Sequence, residues 1–160
     1  MEIVSIAGIH MSHPLVAELR LVELPLHLGD GDGGQLTVVE GENHVPFPIE
    51  RVFTLRAPSG TIRGGHAHRL CNQLMICAFG VIEVICDDGK ERKSFLLDRT
   101  NLGLLVPSKV WATEKFYQSN SVLLVVCDRV YEADDYIRDY IEFCEWRRAI
   151  GATATKKIVS

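Results

Sequence analysis

The stretch of the sequence with the clearest chemical potential is RGGHAHR, residues 63–69, which places two histidines one residue apart. In an extended segment, side chains two positions apart project to the same face, so His66 and His68 would share one wall of a site while Ala67 faces away. An imidazole with an ordinary pKa of about 6.5 accepts and returns a proton near neutral pH. The pair is therefore a candidate for proton transfer, for metal binding or for a structural role.

The residues around this pair favour proton transfer over metal binding. The spacing of Gly60, His66, His68, Gln73 and Gly80 resembles the first motif of the cupin barrels, in which two histidines and a glutamate commonly bind a divalent metal. Here the glutamate position is occupied by Gln73, which is neutral and a weaker ligand.

The second cupin motif points the same way. Its glycine and proline would correspond to Gly103 and Pro107, but Trp111 and Ala112 stand where the third imidazole would be. Zinc-like sites normally use at least three protein ligands. The sequence therefore predicts a site without a metal and without any other cofactor.

The composition is that of one ordinary globular domain. The chain has 160 residues, of which 47% are hydrophobic and 24% charged, and these fractions are typical of compact proteins. A net charge of −4 provides no basic surface for nucleic acid, and no run of Lys or Arg suggests binding to a membrane surface. We expect a small-molecule ligand and neither a nucleic-acid nor a membrane partner.

The amino-terminal segment and the cysteines favour the cytoplasm. MEIVSIAG lacks the basic start of a signal peptide, and no apolar stretch is long enough to span a bilayer. The five cysteines are odd in number, show no CxxC spacing and lie mostly in apolar runs. We interpret them as reduced, buried thiols of a cytoplasmic protein.

Short apolar segments separated by turn residues predict an all-β fold. GVIEVICDDGKERKSFLLD is the clearest hairpin, with a two-residue turn at Asp88 and Gly89. So many strands need two facing sheets or a closed barrel to cover their edges. The predicted strands cover residues 19–26, 35–40, 51–55, 74–78, 80–86, 93–97, 102–106 and 122–128.

The pattern changes to a helical period after the last strand. Tyr136, Tyr140 and Phe143 fall on one helical stripe, and Asp134 or Asp135 could cap the amino-terminal end. We predict a single domain over residues 1–150, with a helix from about residue 134, followed by a flexible tail over residues 151–160.

A family resemblance emerges when the segments around the histidine pair are taken together. They resemble the nucleotide-sugar 3,4-ketoisomerases, the WxcM-like family of cupin-fold enzymes, over roughly residues 33–145. RG-x-HAH and DYIRDY carry most of this specificity. The segments are VPFPIERVF (45–53), IRGGHAH (62–68), DDGKER (87–92), GLLVPSKVW (103–111), VLLVVCD (122–128) and YEADDYIRDYIEF (131–143).

The resemblance implies a cupin-type jelly-roll β-barrel, a homodimer, no metal requirement, and acid–base roles for His66 and His68. The implied reaction moves the keto group of dTDP-4-keto-6-deoxyglucose from C4 to C3, as in deoxysugar biosynthesis for an O-antigen, an S-layer or an antibiotic. This chemistry needs two proton-transfer groups and no redox cofactor. The chain departs from the family where Phe53 and Thr54 occupy a strand that usually carries tyrosine.

Further residues are candidates for binding the substrate. Arg51 and Arg63 could hold the diphosphate, because a guanidinium offers a rigid fork to phosphate oxygens. Gln73 could donate to an enediolate oxygen or secure a barrel loop. Thr54 could replace part of the missing tyrosine's hydrogen bond, and Trp111 could stack on a sugar or base or simply pack in the barrel.

Three other functions remain open on the sequence alone, and a metal-dependent cupin is one of them. A 3,5-epimerase of the same sugar nucleotide also combines a jelly roll with proton abstraction. A cupin that binds a nucleotide sugar without catalysis would keep the pocket and lose the chemistry.

Overall fold

The computed structural model of the protein describes residues 18–158, and the surroundings of side chains as far as Gly151. Within these residues the chain forms twelve strands and one α-helix. The strands are β1 (Arg20–Glu23), β2 (Leu26–Leu28), β3 (Gln35–Thr37), β4 (Arg51–Ala57), β5 (Ile62–His68), β6 (Gln73–Phe79), β7 (Ile82–Asp87), β8 (Arg92–Leu97), β9 (Leu102–Val106), β10 (Trp111–Phe116), β11 (Ser121–Cys127) and β12 (Tyr136–Ile137). A 3₁₀ turn covers Ala133–Asp135, and α1 covers Tyr140–Ile158.

The strands form two five-stranded antiparallel sheets and a separate small hairpin, β2–β3. The first sheet has the order β1-β9-β6-β11-β4, and the second has the order β12-β5-β10-β7-β8. Strands next to each other in the chain often lie in different sheets, which is the jelly-roll arrangement. The predicted all-β jelly roll with a carboxyl-terminal helix is confirmed, although hydrogen bonds between the described strands do not close the two sheets into one barrel.

The main core lies between the two sheets. Strand alternation directs one face of each strand inward, so Leu104 and Leu123 of the first sheet meet Val84 and Phe116 of the second. A second cluster, which includes Leu74, covers the outer face of the first sheet. A third joins the outer face of the second sheet to α1 through Ala67, Ile137 and Phe143.

The carboxyl-terminal elements differ from the prediction. The helix begins at Tyr140 rather than near residue 134, because the preceding residues form the 3₁₀ turn and β12. Asp139 caps this helix by accepting a hydrogen bond from the backbone N–H of Glu142 at 2.8 Å. The helix extends to Ile158, through most of the segment for which we expected a flexible tail.

The described helix is not a membrane span. Across residues 18–158, no helix combines the length and the apolarity needed to cross a bilayer.

Candidate active site

A cavity of about 460 Å³ opens between the two sheets. It lies beside β4, which is the edge strand of the first sheet, and β5 and β12, which end the second sheet. Polar and apolar side chains both line it, so a ligand would meet hydrogen-bonding groups and hydrophobic walls. The lining residues are Phe53, Leu55, Ile62, Arg63, Gly64, His66, Gln73, Met75, Glu114, Leu123, Val125, Tyr136 and Arg138.

A β-bulge in β5 aims the histidine pair at this cavity. Ala112 of β10 pairs with His66, but the next residue, Thr113, pairs with Gly64, so Gly65 is the extra residue. Gly64 and Gly65 have φ angles of 71° and 69°, in a region that glycine adopts without steric cost. The two glycines thus supply the local geometry that the RGGHAH stretch needs.

The two imidazoles lie on the same side of the sheet, in contact with a tyrosine. The ring centroids of His66 and His68 are 5.0 Å apart and the rings are nearly perpendicular. The ring of Tyr136 lies 5.0 Å from that of His66 and 4.3 Å from that of His68. A phenol and two imidazoles therefore form one cluster.

Asp135 fixes the orientation of His68. The Nδ1–H of His68 donates to Oδ2 of Asp135 over 2.7 Å, and both side chains are buried. The same carboxylate accepts from the backbone N–H groups of Leu70 at 2.7 Å and Cys71 at 3.4 Å. Because Nδ1 carries the proton, Nε2 of His68 is the basic nitrogen, and this buried atom has no hydrogen-bond partner among the described residues.

Burial keeps both imidazoles neutral. Loss of solvent, followed by the nearby His68, lowers the pKa of His66 to about 4. Burial also lowers the pKa of His68, and Asp135 acts in the opposite direction by favouring the charged form. Both rings are therefore unprotonated near neutral pH and able to accept a proton.

Behind the cavity lies a group of polar side chains around Cys127. Its Sγ accepts from Nη2 of Arg51 at 3.5 Å and from Nε2 of Gln73 at 3.7 Å. A hydrogen bond from the Cys71 thiol, together with the Arg51 guanidinium, lowers the pKa of Cys127 to about 6. The same hydrogen bond and burial raise the pKa of Cys71. All five cysteines are free thiols, as predicted, and four are buried.

A potential metal-binding group is present but poorly suited to a metal. Within residues 18–158, ligand atoms of His68, Cys71 and Asp135 lie within 4.8 Å of one another. However, the Asp135 carboxylate already accepts three N–H groups, including that of His68, and the Cys71 thiol is held protonated. A metal would have to displace these hydrogen bonds, so the donor set as arranged does not fit one.

The structure brings some of the predicted site residues together and separates others. His66, Arg63 and Gln73 line the cavity, and His68 contacts His66 directly behind it. Arg51 lies at the side, its guanidinium 5.5 Å from the ring centroid of Phe53 and 5.7 Å from that of Tyr131.

Two predicted substrate-binding residues lie outside the cavity. Thr54 is exposed on the opposite face of β4, because Phe53 and Leu55 on either side of it face inward. Trp111 lies on the outer face of the second sheet, where its ring contacts Tyr140 and Phe143 of α1 at centroid distances of 5.2 and 5.6 Å. The structure thus places both residues on the face opposite the cavity for the same reason: one-residue alternation along a strand reverses the face.

Four residues of the site were missed by the sequence analysis. Asp135 was assigned as a possible helix cap and Tyr136 to a helical stripe, whereas the structure places them against the histidines. Arg138 stacks on Tyr136, with its guanidinium 4.4 Å from the ring centroid. Glu114 is a buried carboxyl group in the cavity wall. The signal for the first three was the DYIRDY motif, whose residues we had placed in the helix.

Comparison with known proteins decides the family. The profile described as "FdtA: WxcM-like, C-terminal" matches residues 17–148. The chain belongs to this family.

Characterised relatives of this WxcM-like protein are sugar-nucleotide isomerases. It is 35% identical over 111 residues to the TDP-4-oxo-6-deoxy-alpha-D-glucose-3,4-oxoisomerase of Aneurinibacillus thermoaerophilus, covering 69% of this chain and 80% of the relative. It resembles the sugar 3,4-ketoisomerase QdtA from Thermoanaerobacterium thermosaccharolyticum, solved in complex with TDP, with a TM-score of 0.79 and 27% identity over 84% of this chain and 98% of that one. The WlaRB TDP-quinovose 3,4-ketoisomerase from Campylobacter jejuni gives a TM-score of 0.75 and 30% identity over 81% and 99% of the two chains.

Proposed function

We propose that this protein is a 3,4-ketoisomerase that moves the keto group of a dTDP-linked 4-keto-6-deoxyhexose from C4 to C3. The observation that carries the proposal is the cluster of His66, His68 and Tyr136 at the cavity, with Asp135 behind it. Relatives that share this fold and family are named as 3,4-ketoisomerases of TDP sugars. The family supports the isomerase activity, and the geometry supports the residue roles that we propose.

The reaction requires four proton movements and no net oxidation. A base removes the proton from C3 while O4 gains a proton, which gives an enediol. O3 then loses its proton as C4 gains one, and the carbonyl is left at C3. Two positioned acid–base groups suffice, and each such group contributes on the order of 10²–10⁴ in rate.

His66 is the group that exchanges protons with carbon. It lines the cavity, and its buried Nδ1 has no hydrogen-bond partner among residues 18–158. Because its pKa is about 4, the ring is neutral at pH 7 and has a free lone pair. An imidazole on the cavity wall can remove the C3 proton and return it to C4 on the same face of the sugar.

His68 and Tyr136 serve the oxygen atoms. The phenol of Tyr136 lies on the cavity wall and its ring contacts both imidazoles, so it can pass a proton to or from O3 and O4. His68 contacts this ring and is supported by Asp135, which stabilises the imidazolium that forms when His68 takes up a proton. Tyr136 thereby supplies the phenol that β4 lacks, where Phe53 stands.

The diphosphate is bound at the mouth of the cavity. Arg63 and Arg138 both line it and are both exposed, so their guanidinium groups are available to a dianionic ligand. Arg51 is half-buried and engaged with Cys127, so it supports the wall of the site. The proposed reaction uses no metal and no other cofactor.

The cellular compartment and the oligomeric state are also proposals. We infer a cytoplasmic homodimer, because the five free thiols suit a reducing compartment. Large apolar side chains such as Leu28 and Ile141 are each 69% exposed in the single chain, and a partner surface would cover such groups.

Proton exchange in D₂O tests the function. Purified protein mixed with dTDP-4-keto-6-deoxyglucose should incorporate deuterium at C3 and C4 and yield a 3-keto product, as read by NMR. Exchange at C5 with inversion would identify the 3,5-epimerase instead. Tight binding of the sugar nucleotide with no exchange at any carbon would identify a non-catalytic binding protein.

A further inference from the structure

The cavity wall contains a carboxyl group that takes no part in the proposed proton transfer. Glu114 of β10 is 4% exposed and lines the same cavity as His66. Among the described residues it forms no salt bridge, and the one hydrogen bond its carboxylate receives is from its own backbone N–H. A buried carboxyl group with spare hydrogen-bonding capacity that faces a cavity is positioned to meet a ligand.

The backbone of β5 makes room for this carboxyl group. The carboxylate of Glu114 lies directly over Gly64, where a Cβ atom would collide with Oε2 and Oε1. The positive φ angle of Gly64 also disfavours any larger residue. The bulge that aims His66 inward therefore also accommodates Glu114.

The strand register separates His66 and Glu114 by about the length of one sugar ring. Ala112 pairs with His66, and Glu114 follows it by two positions on the same inward face, which places the residues about 7 Å apart along the strand. A hexose with C3 at His66 would therefore present a neighbouring ring substituent to Glu114.

We propose that Glu114 is a substrate-binding residue that hydrogen-bonds the C2 hydroxyl of the hexose and makes the protein selective for sugars that carry it. This inference rests on the proposed function. In a dTDP-linked 4-keto-6-deoxyhexose, C1 carries the phosphate, C3 and C4 react, the C5 oxygen closes the ring and C6 is a methyl group. The C2 hydroxyl is thus the one hydroxyl that the reaction leaves unchanged.

The surroundings of Glu114 suit a neutral carboxyl group. Burial raises its pKa to about 7, and the nearby Arg63 of β5 offsets this only in part. Cys86 of β7 also interacts with this carboxyl group, and its thiol stays protonated because burial raises its pKa to about 12. His66, Tyr136 and Arg138 line the same cavity. The first sheet contributes apolar side chains and one neutral amide to the cavity wall: Phe53, Leu55, Gln73, Met75, Leu123 and Val125. A protonated carboxyl group both donates and accepts, as a hydroxyl partner requires.

A substrate lacking the C2 hydroxyl tests the proposal directly. Wild-type protein should process dTDP-4-keto-2,6-dideoxyglucose with a kcat/KM about tenfold or more below that for the 2-hydroxy sugar, since one lost hydrogen bond to a buried group has this effect. Glu114→Met should process both sugars at the same reduced level, whereas Glu114→Gln, which keeps a donor and an acceptor, should retain most of the preference. TDP, which lacks the sugar, should bind all three proteins equally.

The outcomes separate this inference from the proposed function. If the wild type isomerises both sugars equally well, or if Glu114→Met keeps the preference, the assignment of Glu114 is wrong while the isomerase function stands. If the wild type isomerises neither sugar, the proposed function fails. Equal weakening of TDP and substrate binding in Glu114→Met would also overturn the assignment to the sugar.

The pH dependence of KM provides a readout that packing alone would not produce. Because the carboxyl group is neutral below a pH of about 7 and charged above it, KM for the dianionic substrate should rise as the pH passes upward through 7. In Glu114→Gln this rise should be absent. A wild-type KM that is flat from pH 6 to 8.5 would contradict the proposal.

Discussion

At the scale of single residues, the site depends on how Asp135 holds His68. The carboxylate accepts the Nδ1–H of His68 at 2.7 Å and leaves Nε2 as the basic nitrogen of a ring that contacts His66 and Tyr136. This contact fixes the tautomer, and it favours the imidazolium once a proton arrives. Asp135 is not among the residues that line the cavity between the two sheets, so it acts as a positioning residue.

Asp135→Asn should therefore reduce turnover more than binding. We expect kcat to fall by about tenfold or more, because the neutral amide stabilises the imidazolium poorly and also permits the wrong tautomer. The dissociation constant for TDP should change little. Asp134→Asn is the matched control, since the neighbouring Asp134 is exposed. Equal kcat values in the two variants would refute the positioning role.

The low pKa of His66 predicts that activity persists at a lower pH than an ordinary histidine base would allow. A catalytic base with an ordinary pKa of about 6.5 would lose roughly tenfold in kcat/KM between pH 7 and 5.5. With a pKa of about 4, His66 remains unprotonated over this range, and kcat/KM should change by less than about twofold. Steady-state kinetics in one buffer series would measure this ratio. A tenfold loss of kcat/KM at pH 5.5 would show that the pKa of the His66 imidazole is not lowered.

The identity of the histidine pair was readable from sequence, but its partners were not. Period-two alternation along β5 put His66 and His68 on one face. Asp135 lies 67 positions from His68 in the chain, and no local pattern reports a contact of that range. The sequence shows that a strand is present, but which of its faces points inward depends on the strands beside it. For this reason Thr54 and Trp111 were assigned to the wrong face.

At the scale of elements, the β5 bulge links the histidines to Glu114. Gly64→Ala and Gly65→Ala both place a side chain at a positive φ, near 70°, so both should lower the free energy of unfolding by about 1 kcal/mol. At Gly64 the new Cβ also meets the Glu114 carboxylate, whereas at Gly65 nothing lies within 4 Å. Only Gly64→Ala should raise KM for the sugar nucleotide. Equal KM values, measured alongside urea unfolding, would show that the Glu114 contact is irrelevant to binding.

Most strands could be predicted, and the reasons for the exceptions are physical. The β7–β8 hairpin is present, but its turn covers four residues, because Asp88 Oδ1 accepts the backbone N–H groups of Lys90 and Glu91. The two-residue β12 is too short to show a period. β12 pairs with the end of β5. The sequence does not reveal this pairing, because the residues of β12 also fit the helical pattern that follows.

At the scale of the whole molecule, the two sheets open along the side that carries the cavity. The described chain leaves β4 without a hydrogen-bonded neighbour on its outer side, and Val52 on this strand is 55% exposed. Unpaired edges and exposed apolar side chains are features that assembly can cover. The regular spacing of short strands and the family resemblance predicted the jelly-roll class. The position of the opening could be found only from the order of the strands in the two sheets.

The assembly prediction is checked by sedimentation equilibrium. The protein should sediment with twice the chain mass of 17.9 kDa at micromolar concentration, as expected for a two-fold dimer. A mass of one chain that persists on concentration would contradict the homodimer.

The central claim is that His66 moves the protons on the sugar carbons while His68, through Tyr136, serves the oxygen atoms. The most direct measurement is deuterium incorporation at C3 of dTDP-4-keto-6-deoxyglucose by the wild type, His66→Asn and His68→Asn. The control is His27→Asn, which alters an exposed residue of β2 that is distant in sequence from the histidine pair. Wild type and His27→Asn should exchange at the same rate, and the other two variants should lose about 10²-fold or more. Exchange at the wild-type rate in both His66→Asn and His68→Asn would contradict the account.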